Sequence, residues 1–215
     1  MHKMFLIATG VVMASVTITA RDFFIHTFEK HQLTEHFWSE GAHFGDFNRD
    51  GHGDVVAGPF WYEGPDFTNR HEYAPATATF TLKDSSGKEQ TLPGYAGALS
   101  GRNAYSSNFL AFSHDFIGDK WDDILILGFP GKESTWHENP RGRSGHWNRH
   151  VALEVTDNES PHFVDITGDG QPEIVCSSGG FFGYAEPDRE HPERVWVFHR
   201  VTPKGPWQRF THGMG

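Results

Sequence analysis

Asp46-Phe-Asn48-Arg-Asp50-Gly51-His52-Gly-Asp54 is an acidic loop that leads directly into the apolar run Val55-Val56-Ala57. Two later segments repeat the pattern, with carboxylates at loop positions 1, 5 and 9. They read Asp115-Phe-Ile117-Gly-Asp119-Lys120-Trp121-Asp122-Asp123 and Asp165-Ile-Thr167-Gly-Asp169-Gly170-Gln171-Pro-Glu173. A tight turn with this spacing points several oxygens at one place, as a hard cation such as Ca²⁺ requires. The recurrence also predicts stacked or radially arranged modules.

Composition narrows the class of protein. The 215 residues carry a net charge of -10, which argues against a nucleic-acid partner and suits cation binding, although a solvated acidic surface explains most of the count. Twenty-four glycines, 12 prolines and 19 phenylalanines favour many turns and aromatic-rich strands. Helical periodicity of useful length is missing after residue 40, so the sequence predicts an all-β fold.

The amino terminus resembles an export signal. A short basic start precedes an apolar stretch over residues 4–20, and Ala20 offers a small residue for cleavage. We predict a signal peptide over 1–20, a secreted or periplasmic location, and no membrane span in the mature chain. A retained membrane anchor is the alternative, but the run is short and contains Thr17 and Thr19.

The chain has a single cysteine, Cys176, and therefore cannot form an intrachain disulfide. Any cross-link that stabilises the fold must then come from a bound metal. Cys176 lies in an apolar run, where a buried inert thiol is favoured over a reactive one.

Strand-like segments surround each loop, and a third mark follows them: an aromatic residue, a Glu two positions later, then Pro. These marks are Trp61-Tyr-Glu63-Gly-Pro65, Trp136-His-Glu138-Asn-Pro140 and Tyr184-Ala-Glu186-Pro187. The loops begin at residues 46, 115 and 165, which leaves 69 and 50 residues between starts and suits four short strands per repeat. The extra length of the first repeat includes the polar stretch 81–94, predicted as a surface excursion.

An EF-hand is excluded because position 12 holds Ala57, Ile126 or Cys176 instead of Glu.

The loop pattern and its spacing resemble FG-GAP/VCBS-type β-propeller repeats. Four further segments resemble the propeller region of the aldos-2-ulose dehydratase family: Phe37-Trp-Ser-Glu-Gly41, Gly58-Pro-Phe-Trp-Tyr-Glu-Gly-Pro65, Glu159-Ser-Pro161 and Phe210-Thr-His-Gly213. The resemblance covers about residues 28–215 and implies repeats across 21–215, with calcium loops at 46–54, 115–123 and 165–173. It implies about three blades and part of a fourth, because the chain stops where another acidic loop is expected. A truncated propeller is the favoured interpretation and a compact four-bladed ring the alternative.

The same resemblance assigns Ca²⁺ ligands to the side chains at positions 1, 3, 5 and 9 and to the carbonyl of position 7. In the first loop these are Asp46, Asn48, Asp50, His52 and Asp54; in the third they are Asp165, Thr167, Asp169, Gln171 and Glu173. The second loop offers Asp115, Asp119 and Asp123, and we expect it to be weak or empty because Ile117 supplies no ligand and Lys120 replaces the turn glycine. An Asp/Gly-rich turn without metal is the alternative for all three; metal is preferred for the first and third because the carboxylates would otherwise repel one another.

Glu40 and Glu159 each lie six residues before a loop, and His212 takes that place if a further loop begins at 218. With Asn108 they form a candidate catalytic or metal site at the central channel. Ordinary turn polarity is the simpler explanation and is preferred.

Trp61 and Trp136 are candidate platforms for sugar rings, although packing inside the blades is the preferred role. The leading function is a secreted calcium-binding propeller module that presents a surface for carbohydrate. The first alternative is a metal-assisted sugar lyase or dehydratase resembling aldos-2-ulose dehydratase, and the second is an adhesion or protein-interaction module. Whether the chain is an enzyme stays open.

Overall fold

The computed structural model describes residues 27–95, 105–206 and 211–212. Every regular element in these ranges is a β-strand, which confirms the predicted all-β class. No helix among these residues is long and apolar enough to cross a membrane. The predicted signal peptide, residues 1–20, lies outside the described residues. The strands are β1 (Ala42–Gly45), β2 (Asp54–Ala57), β3 (Phe60–Tyr62), β4 (Arg70–Glu72), β5 (Thr79–Lys83), β6 (Glu89–Pro93), β7 (Leu110–His114), β8 (Asp123–Leu127), β9 (Lys132–Glu138), β10 (Asn148–Thr156), β11 (His162–Val164), β12 (Glu173–Ser178), β13 (Phe181–Glu186) and β14 (Val197–Arg200).

Twelve of these strands form three four-stranded antiparallel sheets, each built from consecutive strands. The first sheet holds β1–β4, the second β7–β10 and the third β11–β14. In every sheet the acidic loop joins the first strand to the second, as the sequence predicts. The polar stretch 81–94 forms most of a separate hairpin, β5–β6, whose residues are mainly exposed.

The second sheet is buried on both faces, and its strand β8 shows why. All five residues of β8 are buried, and successive side chains of a strand point to opposite faces. Ile124 and Ile126 join a core with Val56 of the first sheet. Leu125 and Leu127 join a second core that contains residues of the third sheet, such as Ile174. The second sheet is therefore packed between the other two.

The first strands of the three sheets lie side by side. The Ser113 hydroxyl donates to the Phe44 carbonyl at 2.6 Å, which links β7 to β1. The rings of Phe112 and Phe163, on β7 and β11, have centroids 5.4 Å apart. This row of neighbouring first strands places the three acidic loops at corresponding points of successive sheets.

Candidate functional site

The three acidic loops share one pattern of hydrogen bonds, which begins at position 1. The Asp46 carboxylate accepts the backbone N–H groups of Asp50 and Gly51, each at 3.1 Å. The carboxylate of Asp50, at position 5, accepts the N–H of His52 at 2.8 Å. Asp115 and Asp119 make the equivalent bonds in the second loop, and Asp165 and Asp169 make them in the third. Carboxylates thus hold each turn in shape by capping its backbone donors.

The backbone of the loops is also the same, with left-handed residues at positions 4 and 6. Position 6 has φ of 85° at Gly51, 70° at Lys120 and 88° at Gly170. Position 4 is left-handed as well, at Arg49, Gly118 and Gly168. The second loop therefore adopts the common turn even though Lys120 replaces glycine, and the substitution strains the loop without unfolding it.

The carboxylate at position 9 is a buried connector between segments of one sheet. Asp54 is completely buried, and its two oxygens accept the N–H groups of Phe47 at 2.8 Å and Gly64 at 2.9 Å. Burial raises the pKa of Asp54, and the nearby Asp50 and Asp46 charges raise it further. The side chain thus ties the start of its loop to the end of β3.

Asp123 has the same role in the second sheet, where it accepts the N–H groups of Phe116 and Asn139 at 3.0 and 2.8 Å. Its burial raises the carboxyl pKa to about 8. In the third loop, the buried Glu173 instead accepts both bonds from its own loop, from the Ile166 N–H and the Thr167 hydroxyl, each at 2.8 Å.

The third loop brings three carboxylates closest together. One oxygen each from Asp165, Asp169 and Glu173 lies within 4.8 Å of the others, and within the described ranges this is the single group of three acidic, His or Cys side chains that does so. Thr167 adds a hydroxyl to this group, and Gln171 contacts His114 of the neighbouring sheet, with Oε1 and Nε2 2.8 Å apart. Oxygen donors of this kind fit a hard cation such as Ca²⁺.

Arginines compensate the position-5 charge in two of the loops. Arg141 pairs with Asp119 in the second, and Arg189 pairs with Asp169 in the third. In the first loop, Asp50 has the ring of His52 at 3.3 Å, and no Lys or Arg among the described residues forms an ion pair with its carboxylates. Asn48 contacts Asp50 at 3.1 Å through its amide nitrogen. These arginines follow Pro140 and Pro187 at different offsets, so the aligned repeats do not show them.

Asn139 is a hub that the sequence pattern does not single out. Its side-chain amide donates to the carbonyls of Phe47 and Asp122, each at 2.9 Å, and it is 2 % exposed. The Asp122 carboxylate in turn accepts the N–H of Asp46 at 2.9 Å. Asn139 and Asp122 therefore fasten the first acidic loop to the second sheet.

The candidate channel residues are brought together only in part. His212 Nε2 lies 3.1 Å from the Glu159 carboxylate, and the Glu159 N–H donates to the Thr211 carbonyl at 3.1 Å. Glu40 instead accepts the N–H of Ser106 at 2.9 Å. Burial of its carboxyl group raises the pKa of Glu40, although the residue as a whole remains exposed. Glu40 thus contacts the segment that precedes β7, and Glu159 contacts residues 211–212.

Asn108 shares Ser106 with Glu40: its N–H donates to the Ser106 hydroxyl at 2.9 Å, and the residue lines a cleft between the first and second sheets.

Trp61 and Trp136 are placed inside the sheets. Trp136 has no exposed surface and Trp61 is 8 % exposed, so neither presents an open ring face to a sugar. Each ring instead stacks on a histidine of the fourth strand: Trp61 on His71 at 3.9 Å, and Trp136 on His150 at 4.3 Å between centroids.

The third sheet repeats this arrangement with Tyr184 stacked on His199 at 4.8 Å. In every sheet the histidine also bonds to the Glu two residues after the aromatic. The Nε2 to carboxylate distances are 3.0 Å for His71–Glu63, 3.2 Å for His150–Glu138 and 2.7 Å for His199–Glu186. The aromatic residue and the Glu of the sequence mark are therefore two members of an aromatic–Glu–His triad, and the third member is the histidine on the fourth strand.

Comparison of the chain with family models, with curated proteins and with solved structures found no match.

Proposed function

We propose that this chain is a calcium-binding β-propeller module that is exported and presents a binding surface for carbohydrate. The observation that carries the calcium part is the third loop, where Asp165, Asp169 and Glu173 converge on one point. The turn around them is held by hydrogen bonds before any ion arrives, so little ordering is needed on binding.

The propeller part rests on how the sheets pack. Propellers arrange four-stranded sheets around a central axis, with neighbouring blades packed face to face. Here three such sheets follow one another along the chain, the middle one is buried on both faces, and their first strands are neighbours. Sheets arranged in this way need a fixed spacing, and metal-bound first and third loops, beside β1 and β11, would help to supply it.

Calcium binding is tested by calorimetric titration with CaCl₂ and by thermal melts with Ca²⁺ or EDTA at equal ionic strength. We expect a dissociation constant of about 10⁻⁴ M, typical of extracellular sites, and stabilisation of about 2.7 kcal/mol at an ion concentration about a hundred times higher. Asp165→Asn should remove the part of the effect that comes from the third loop. The matched control is Asp84→Asn in the β5–β6 turn, which should keep it. Identical melts with Ca²⁺ and EDTA would refute the proposal.

A second candidate function, a sugar lyase or dehydratase, is favoured by one contact, the 3.1 Å pair of Glu159 and His212. A carboxylate beside an imidazole can remove a proton next to a carbonyl group. The test is exchange of that hydrogen in D₂O, followed by NMR on a 2-keto sugar. Exchange that depends on the protein and is lost in Glu159→Gln would support the enzyme; no exchange above the buffer rate would count against it.

A further inference from the structure

Each four-stranded sheet has two chemically distinct faces. Successive side chains of a strand point to opposite sides, so strand register decides which residues share a face. We call the face that carries the aromatic–Glu–His triad the triad face. It holds Trp61 in the first sheet, Trp136 in the second and Tyr184 in the third. The other face of each sheet is called the opposite face.

The triad faces of the first two sheets are each covered by the opposite face of the next sheet. Val56 and Trp61 of the first sheet share a core with Ile124 of the second. Trp136 of the second sheet shares a core with Ile174 of the third. The fold thus shows twice what covers a triad face, namely the apolar opposite face of another four-stranded sheet.

The triad face of the third sheet is open. Its central residues are Val175 and Tyr184, which are paired across β12 and β13. Both are partly exposed and belong to none of the cores that the described residues form. On the same face, Val164 and Val197 are 45 % and 52 % exposed. A row of apolar side chains on one sheet face marks an interaction surface.

The opposite face of the first sheet is open in its inner half. Trp38 covers the outer half, where its ring centroid lies 5.2 Å from that of Phe60 on β3. On β1 and β2, however, Phe44 is 69 % exposed and its cross-strand partner Val55 is partly exposed. The chain therefore exposes one face of each kind, at the first and third sheets.

The two open faces match each other by position. Phe44 lies two residues before its acidic loop, as does Phe163, whose ring packs on that of Phe112 at 5.4 Å between centroids. In the third sheet the position of Phe112 is held by His162, which is exposed. An imidazole at this position accepts an aromatic neighbour, because His43 in the first sheet lies 5.4 Å from Phe112. Phe44 and His162 are therefore the unpaired halves of a contact that the fold already makes internally.

We infer that a second copy of this chain covers the open triad face, by packing the Phe44 side of its first sheet on Val175 and Tyr184 of the third. Because each copy carries both faces, two copies make two identical head-to-tail contacts, and the dimer closes into a ring of six four-stranded sheets. Propellers of about four to eight such sheets are known. Pairing of two third sheets would instead leave Phe44 exposed. The inference rests on the propeller part of the proposed function, and on neither calcium nor carbohydrate binding.

The test is sedimentation velocity of the full chain at fixed Ca²⁺ concentration, with protein between about 1 and 100 µM. We expect a dimer with a dissociation constant of about 1 µM or below, because two contacts form at once. Phe44→Asp and Val197→Asp each bury a charge in both contacts, so each should weaken the dimer at least about a hundredfold. The matched control is Phe28→Asp, which changes a 93 % exposed ring outside both faces and should stay within about twofold of the parent chain.

Mixing the two variants tests the head-to-tail geometry. The Val197→Asp chain keeps an intact Phe44 face and the Phe44→Asp chain keeps an intact triad face, so the mixture should contain a heterodimer with one native contact that neither variant forms alone. Circular dichroism establishes that each variant is folded.

Three results would overturn the inference. The parent chain could stay monomeric over the whole concentration range. A dimer could persist in Phe44→Asp, which would indicate pairing of two third sheets. Species that keep growing with concentration would show a head-to-tail contact that does not close into a ring. The calcium-dependent melts report separately on the metal function, so a monomer with an unchanged calcium response would overturn the dimer alone.

Discussion

The imidazole of His150 lies flat on the indole of Trp136, with their centroids 4.3 Å apart and their planes inclined by 20°. The two residues are paired across strands β10 and β9, and His150 also bonds to Glu138 at 3.2 Å. Because the same triad occurs in all three sheets, it serves the sheet architecture: it fixes the fourth strand to the third at one register.

Substitution of His150 by Ala should lower the free energy of unfolding by about 2 kcal/mol, since it removes a stacked ring and a partly buried hydrogen bond. His191→Ala is the control, because that side chain is about half exposed and contacts Glu193 at 3.5 Å. Urea unfolding followed by tryptophan fluorescence measures both. Equal losses in the two variants would show that the triad does not stabilise the sheet.

Spacing predicts the loops and their flanking strands because both depend on neighbouring residues in the chain. The strand–loop–strand order is written directly in 42–57, and the structure places β1 and β2 at the two ends of that range. Likewise, the unbroken apolar run from Ile124 to Leu127 marks a strand buried on both faces.

Cross-strand partners are less accessible to sequence reasoning. His71 follows Trp61 by 10 residues, whereas His150 follows Trp136 by 14, because the connecting turns differ in length. The pairings of Arg141 and Arg189 with the loops are hidden for the same reason. A histidine or arginine at variable distance becomes recognisable only when strand register is known. Asn139 is equally hard to recognise from the sequence, because its side-chain amide donates to the carbonyl of Phe47, which lies 92 residues away in the chain.

Lys120 tests whether the second loop is strained by its left-handed residue. Replacement by Gly should raise the free energy of unfolding by about 1 kcal/mol, because a side chain with φ of 70° costs about that much. Lys83→Gly is the control: it lies in strand β5, where glycine should destabilise by about 0.5–1 kcal/mol. Chemical denaturation at fixed Ca²⁺ concentration measures both. A loss of stability in Lys120→Gly would contradict the strain.

Arg189 tests whether an internal cation competes with calcium in the third loop. Removing it by Arg189→Ala leaves Asp169 without its guanidinium partner, so Ca²⁺ should bind about two- to fivefold more tightly. The titration is best made in an Asp46→Asn background, which weakens the first loop. Arg194→Ala is the matched control, because that arginine pairs with Asp188, which is outside the loop. Unchanged or weaker binding in Arg189→Ala would exclude competition.

His137 predicts how the fold responds to acid. Burial, reinforced by the positive Arg149 and by His150, lowers the pKa of its imidazole from 6.5 to about 3. Between these values the unfolded chain binds a proton that the folded chain does not. This residue therefore leaves the free energy of unfolding unchanged above pH 6.5. As the pH falls from 6.5 to 3, it lowers that free energy by on the order of 4 kcal/mol.

His137→Phe removes this titration while keeping a buried ring, so the variant should lose less stability than the parent chain between pH 6.5 and 4. The measurement is urea unfolding at a series of pH values, with the difference between parent and variant as the quantity of interest. Val201→Ala, which changes an exposed side chain that carries no titratable group, should follow the parent curve. Parallel curves for the parent chain and His137→Phe would mean that the imidazole is protonated in the folded state, because a group that binds the same number of protons in both states adds no slope.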